Sequence, residues 1–430
     1  MRSDATTQAP GAPAELRRAL GLADAVGIGF GAIVGAGIFV VTGIAAGIAG
    51  PALLLALPLA GVAATANALS SAELAASYPQ AGGTYEYGYR VLHPWAGFAA
   101  GWMFLASKTA AAGTVGLGLA AYLERIAPGV PGRAVALVAI ALFTLVNALG
   151  VRKSSAVNLA VVAVSTASLV LFAVVAFGRF DAGNLRPFAP AGAGGVLRAA
   201  ALLFFAYTGY ARVATLGEEV REPRVTIPRA ILITVAGVSV LYLAVVVAAV
   251  GAVGTEVLGR GAAPLADAAR AMGGGWLETA VSFGAVTAML GVLLSQLLGL
   301  SRMAFAMARR GDLPGALARV DGRSGAPTRA VLLVGAAAAL AAGFGTLRGI
   351  AAAASFAILL YYAVANLAAL RMPREAKLYP DFVPAVGLGA CALLAASLPP
   401  RTAIVGLAVL AAGFGVRATV RALAPASAGG

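Results

Sequence analysis

The sequence predicts an all-α polytopic membrane protein. Hydrophobic residues make up 60% of the chain and charged residues 11%, with a mean hydropathy of +0.91. Soluble proteins average about 45–50% and about 25%. The apolar residues fall into about twelve runs, each long enough to span a bilayer at about 20 residues per helix. They do not alternate with the period of two that a transmembrane β-barrel requires. Two of the runs, the first and the sixth, are interrupted at their centres by residues that disfavour a continuous helix.

In order, the spans are expected near 23–49, 52–77, 96–123, 132–150, 156–178, 196–220, 229–253, 277–306, 329–347, 349–371, 379–397 and 402–419. The ninth and tenth nearly touch at Thr346-Leu347-Arg348. Residues 1–22 carry no apolar core of signal-peptide type and are expected to be a retained cytoplasmic tail. Residues 420–430 form the opposite tail, so 23–419 is one lipid-embedded domain with no soluble one. With the N-terminus inside, 20 Lys/Arg fall in inner regions and 8 in outer ones. That bias orients both termini to the cytoplasm. It also accounts for the net charge of +14 without nucleic acid, since no basic stripe with interleaved aromatics is present. The single cysteine, Cys391, rules out an internal disulfide. Twenty-eight arginines against three lysines, with abundant alanine and glycine, fit a GC-rich bacterial genome and a cell inner membrane.

The first span, AVGIGFGAIVGAGIFVVTGIAAGIAG, places Gly35-Ala36-Gly37 at mid-depth. Glycine costs about 1 kcal/mol in a helix interior. A break there exposes backbone groups that lipid cannot satisfy, so they must face protein or a polar cavity. The sixth span carries Ala206-Tyr207-Thr208-Gly209 at its centre. Each half holds five spans, and five is odd, so spans 1–5 and 6–10 have opposite orientation. This predicts a 5+5 inverted repeat, about 23–178 and 196–371, with discontinuous helices 1 and 6 and two accessory helices at about 379–419. Glycine used only for close helix packing is the alternative for either break taken alone.

Four stretches resemble the amino acid–polyamine–organocation superfamily of permeases: GFGAIVGAGIFVVTG from Gly29, AELAASYPQAGGTYEYGYR from Ala72 with Gly101-Trp102, FFAYTGYARVATLGEEVREPRVTIPRAI from Phe204, and SRMAFAMARRGDLP from Ser301. The resemblance covers nearly the whole chain. It implies the leucine-transporter-like inverted repeat and a central site for a free amino acid or related amine.

The physics of the breaks agrees with that implication. The N–H groups of Gly35, Ala36, Gly37 and Ile38, following Ile33, begin the outer half of helix 1, and a helix N-terminus suits a carboxylate. The carbonyls near Phe205, Ala206 and Thr208 end a half-helix in span 6 and suit an ammonium. Gly209 completes that break. Tyr207 or Tyr210 either covers the substrate as a gate or packs as an ordinary aromatic. GIGFGAIVG lacks the preceding strand and the later acidic residue of a dinucleotide site.

Intramembrane charges are costly and usually functional. Lys108 in span 3 and Arg212 just past the break in span 6 are such charges, with Glu73 and Asp24 as candidate partners. Arg212 is expected to make an ion pair or carbonyl contacts rather than touch substrate. Several bacterial members of the superfamily carry a coupling lysine in the fifth span. The matching position here is Ser165, and span 8 lacks paired hydroxyls around Ala288 to Gly291. Lys108 is therefore the candidate for proton coupling, with exchange or uniport without an ion as the alternative. His93, the only histidine, is expected in a surface or capping role, and Glu86 and Arg90 in a solvated or paired loop. Glu218, Glu219 and Glu222 are expected in a charged rim with Arg221 and Arg224.

No acidic side chain falls at mid-depth on the site-forming spans, which favours a neutral amino acid. No zinc spacing, nucleophile elbow or phosphate loop is present, so neither an enzyme nor a cofactor is expected. The expected activity is secondary transport by alternating access, helices 1, 2, 6 and 7 rocking against 3, 4, 8 and 9. A non-transporting sensor and a channel are the rival classes.

Overall fold

The computed structural model describes residues 20–78, 82–150, 155–214, 220–322 and 324–423. The expected terminal tails lie largely outside this set, and Glu218 and Glu219 wholly so. Among the described residues the secondary structure is helical, apart from one isolated bridge between Leu20 and Val220. Eight helical segments are long and apolar enough to cross a membrane; one of them, Leu22–Ser77, contains two spans, and three shorter apolar helices complete twelve. In chain order these are α1 (Leu22–Ile33, resuming as Gly37–Val41 and Thr42–Ala49), α2 (Leu53–Ser77), α3 (Pro94–Ile126), α4 (Gly132–Ala148), α5 (Ser155–Phe177), α6 (Gly192–Tyr207, then Thr208–Tyr210 and Ala211–Ala214), α7 (Pro223–Arg260), α8 (Gly275–Arg309), α9 (Thr328–Phe344), α10 (Leu347–Arg371), α11 (Phe382–Ser397) and α12 (Pro400–Leu423).

Several boundaries differ from the sequence expectation, each for a local reason. The ninth and tenth spans divide at Gly345-Thr346, where the Thr346 hydroxyl accepts the Gly349 N–H at 3.1 Å and caps α10. α7 starts at Pro223, six residues ahead of the apolar run that marked it. Pro223 occupies the first turn, where a missing N–H costs nothing. His93 caps α3, its Nδ1 accepting from the Trp95 N–H at 3.3 Å. The first break is followed by a π-helical turn, Gly37–Val41, that nothing in the sequence announced.

Helix packing carries the repeat. α1 packs on α7 as α6 packs on α2, and α3 on α10 as α8 on α5. α2 meets α7, α4 meets α9, and α3 meets α8, each pair mapping onto itself when every helix is exchanged with the one five places away. Helices five places apart cross in opposite directions because five is odd, so this is the contact pattern of an inverted repeat. α11 lies against α10 and α2, and α12 against α10 and α3, outside that exchange. A short helix, Pro264–Ala271, bridges α7 and α8 and also meets the first turns of the resumed α1.

At the end of the molecule that carries the α2–α3 and α8–α9 loops, Asp312 is fully buried. It accepts from the Tyr85 and Tyr89 hydroxyls at 2.7 and 2.5 Å, from Arg417 Nε at 2.9 Å and from Arg421 at 3.1 Å. Arg417 is 1% exposed, with its guanidinium 4.9 Å from the Trp95 ring centre and 5.0 Å from that of Phe98. Glu86 pairs with Arg90 and with Arg310, at 2.5 and 2.7 Å.

Candidate functional site

The two interruptions meet. An added Cβ on Gly37 would overlap the Cα of Ala206, and one on Gly209 would overlap the Ala32 carbonyl. Each break therefore has a glycine facing the other's backbone, a contact no side chain could share. Around this crossing lies a cavity lined from α1 by Ile33, Gly35, Ala36 and Gly37, and from α6 by Phe205, Ala206, Thr208 and Gly209. α3 contributes Lys108 and Val115, and α8 contributes Val292 and Gln296. Its free volume is about 30 Å³, room for about two waters. An amino acid enters only if these walls separate.

The backbone presents opposite polarity at the two breaks. The first N–H groups of the resumed α1 have no intrahelical acceptor one turn earlier and form the positive end of that limb. The other side of the break, the Ile33 carbonyl, accepts the Tyr242 hydroxyl of α7 at 3.0 Å. Farther along, the π turn leaves the Phe39 carbonyl to Tyr122 of α3, whose hydroxyl donates at 2.6 Å and accepts from the Leu265 N–H at 3.3 Å. Ile38 is buried within that turn.

On α6, the limb ending at Tyr207 brings Phe205 and Ala206 into the cavity lining, so its carbonyl end, the negative end of the limb, lies there. Phe205 O accepts the Thr208 hydroxyl at 2.9 Å. Lys108 Nζ lies 3.2 Å from Thr208 Oγ1 and 3.5 Å from the Thr208 carbonyl, and the Tyr362 hydroxyl of α10 approaches that carbonyl at 3.5 Å. Gln296 donates to the backbone carbonyl of Lys108 at 2.5 Å, tying α8 to α3 beside the ammonium.

Other candidates lie elsewhere. Tyr207 turns away from the cavity: its ring lies 5.6 Å from that of Tyr242, and it lines an apolar groove between α2, α7 and α11. Tyr210 is buried against Tyr362, with ring centres 5.3 Å apart. Ser165 is buried on α5 and donates within its own helix, to Val161 and Val162 carbonyls at 2.8 and 3.1 Å. Arg212 follows the break in Ala211–Ala214 and lies outside the cavity lining. Glu73 does not partner Lys108; its carboxylate accepts the Leu378 and Tyr379 N–H groups at 3.1 and 3.3 Å and anchors the loop after α10. Asp24 accepts from the Gly21 N–H at the start of α1. The partner of Lys108 is the neutral Thr208. Gln296, Val292, Tyr362 and Tyr242 were not singled out from sequence. Gln296 alone carried a signal, as an uncharged polar residue within a long apolar run.

Comparison with known proteins places this geometry. The family model described as amino acid permease matches residues 24–417. An uncharacterised transporter of Mycobacterium tuberculosis is 44% identical over 410 residues, covering 94% of this chain and 92% of that protein. The methylthioribose transporter of Bacillus subtilis is 33% identical over 90% of each chain. A branched-chain amino acid permease of the same bacterium is 32% identical over 76% of this chain and 74% of its own. With the match running from the first span into the last, and with two broken helices meeting at one cavity, the chain belongs to the amino acid permease family of the amino acid–polyamine–organocation superfamily.

Proposed function

We propose that this multi-pass membrane protein moves neutral amino acids or close analogues across the bacterial cell membrane by alternating access, with both termini in the cytoplasm. The observation that carries the reading is the cavity between the two breaks. It presents the amide end of one half-helix and the carbonyl end of another, a pair of opposite partial charges suited to the carboxylate and ammonium of a zwitterion. Among the described residues its lining carries no carboxylate and one ionisable side chain, Lys108. A second positive charge on the substrate would have no counterion there, which favours neutral side chains over basic ones. The names of relatives, among them a branched-chain amino acid permease, a methylthioribose transporter and cationic amino acid transporters of Arabidopsis thaliana, support an amino acid or related small molecule as substrate; the preference for neutral ones rests on the cavity lining alone. Lys108 is the titrating group through which a proton gradient acts. Ser165 lies within its own helix's hydrogen bonding and carries no such role.

The test is counterflow into proteoliposomes with labelled alanine, serine, leucine, phenylalanine, arginine and lysine. Saturable counterflow of one or more neutral amino acids, with none for arginine or lysine, is the expected result. Non-saturating flux would mean a channel. Binding without flux would mean a sensor. Preference for arginine would overturn the substrate assignment.

A further inference from the structure

The seat that suits a substrate ammonium is already held by an ammonium of the protein. Lys108 Nζ lies 3.2 Å from Thr208 Oγ1 and 3.5 Å from the Thr208 carbonyl, at the negative end of the first limb of α6. The neighbouring acceptors are also engaged: Phe205 O takes the Thr208 hydroxyl, and the Tyr362 hydroxyl reaches Thr208 O. Among the described residues the cavity lining offers no carboxylate that would let two cations share the seat. Like charges this close in a water-poor cavity oppose each other strongly. A neutral lysine amine, by contrast, has a lone pair and accepts a hydrogen bond from an incoming ammonium.

We propose that a proton on Lys108 and the ammonium of an amino acid compete for the Thr208 seat, so that the protein exchanges amino acid for proton rather than carrying both the same way. The inference rests on the amino acid reading above and adds the direction of coupling. On loading, the proton leaves Lys108 Nζ for water in the open vestibule and the amino acid takes its place. On release at the other face, Lys108 is protonated from that side and the protonated form returns. An acid exterior then drives amino acid out of the cell.

The groups that face Lys108 leave it as the site of this competition. From α6 there is the Thr208 hydroxyl, from α8 the Gln296 amide and from α10 the Tyr362 phenol. Most charged residues on the long helices packed against α3 sit in terminal turns: Arg133 on α4, Arg309 on α8, Arg329 on α9, and Arg348 and Arg371 on α10, with Arg302 two turns inside the end of α8. On the short helices Thr84–Tyr87 and Gly88–Leu92, Glu86 and Arg90 pair with each other. Glu278 on α8 is paired with Arg270, Arg417 and Arg421 of α12 are paired with Asp312, and Arg401 lies in the first turn of α12.

The experiment adds the amino acid that gives counterflow to purified protein in weakly buffered detergent solution containing a pH dye. Wild type should release up to one proton per protein on binding, and its apparent affinity should weaken by about tenfold per unit of acidification below the pKa of Lys108. Lys108→Met should bind without proton release and with a flat pH profile. Lys108→Arg, a cation that cannot deprotonate, should lose amino acid binding. The amine-free acid with the same side chain should bind wild type without releasing a proton, because Lys108 keeps its seat. Proton uptake on amino acid binding, binding with no proton exchange from mildly acid to mildly alkaline solution, or undiminished release by Lys108→Met overturns the proposal. If Lys108→Met does not fold, the wild-type proton sign and affinity slope decide alone. Failure of all counterflow sinks the transport reading itself, whereas counterflow with proton uptake leaves transport standing and removes only the exchange.

Discussion

Gly37 and Gly209 are where the fold and the site depend on single atoms. Each faces the backbone of the other broken helix, and backbone cannot swing aside as a flexible side chain can. Gly37→Ala and Gly209→Ala should each destabilise the protein by about 1–3 kcal/mol through overpacking and reduce counterflow by about tenfold or more. Gly27→Ala is the matched control: nothing lies within 4 Å of its added Cβ, and the change should be neutral or gain up to about 1 kcal/mol in helix propensity. Thermal unfolding in detergent alongside initial counterflow rates separates the two effects; equal behaviour of all three variants would mean that the crossing is not tight. The glycines were legible in the sequence because a helix breaker at the centre of an apolar run is costly there and stands out against its neighbours. The surroundings of Lys108 were not. The charge flagged the residue, but its partner is a neutral threonine 100 positions away, and no local pattern encodes that distance. Tyr207 was misleading in the same way: an aromatic beside a break draws attention, while the helix phase that turns it toward α2 and α7 emerges only once the break is built.

Two elements depend on contacts that their own sequence does not declare. The π turn Gly37–Val41 leaves the Phe39 carbonyl to Tyr122, which also receives the Leu265 N–H. Tyr122→Phe keeps the ring and removes both bonds, leaving a buried carbonyl and a buried N–H without that hydroxyl. A loss of about 1–3 kcal/mol is expected for each group left unsatisfied, measured by unfolding; an unchanged midpoint would show that water replaces the hydroxyl. From sequence α12 is an accessory helix, and Arg417 is one of the 20 Lys/Arg counted in the inward charge bias. Instead Arg417 is buried against Asp312 and the rings of Trp95 and Phe98. An arginine at a span end looks the same in sequence whether it meets headgroups or a buried carboxylate. Asp312→Ala strands that guanidinium and should cost about 3–5 kcal/mol; a change below about 1 kcal/mol would make the cluster peripheral. The cluster also has a pH limit. Burial, and then the bond to Asp312, push the Tyr89 hydroxyl up to about 12. A group whose protonated form is favoured in the fold contributes stability that is complete below its unfolded pKa of about 10 and is lost as pH rises through the folded one. Asp312 should therefore hold α12 through neutral and mildly alkaline solution. Tyr89→Phe should remove the part of the alkaline unfolding that falls between about pH 10 and about 12, which a pH titration of the unfolding midpoint reads directly.

At the scale of the whole molecule, the inverted repeat was readable because hydropathy counts spans and two glycine-rich breaks mark equivalent ones. The exchange of helix contacts five places apart is its three-dimensional consequence. Motion is the remaining step. The cavity walls divide into α1 and α6 on one side and α3 and α8 on the other, and the space between them holds about two waters. If the proposed alternating access works by rocking of these helix groups, the walls part to admit substrate, and a bond across them should stop transport. Gly35 of α1 and Val292 of α8 suit such a bond: a Cβ built on Gly35 lies 3.6 Å from the Val292 Cβ, within the span of about 3.5–4.5 Å that a disulfide bridges. The experiment is the pair Gly35→Cys and Val292→Cys with Cys391→Ser, reconstituted and assayed by counterflow before oxidation, after it and after reduction. Oxidation should reduce the rate by about tenfold or more, and reductant should restore it, while each single cysteine variant should be indifferent to oxidation. The reduced double variant supplies the baseline, so any effect of the substitutions on binding is measured separately from the cross-link. If the cross-linked protein transports at the reduced rate, α1 and α8 stay together throughout the cycle. Access to the site must then alternate by local movement of the α6 limbs rather than by rocking of the two helix groups.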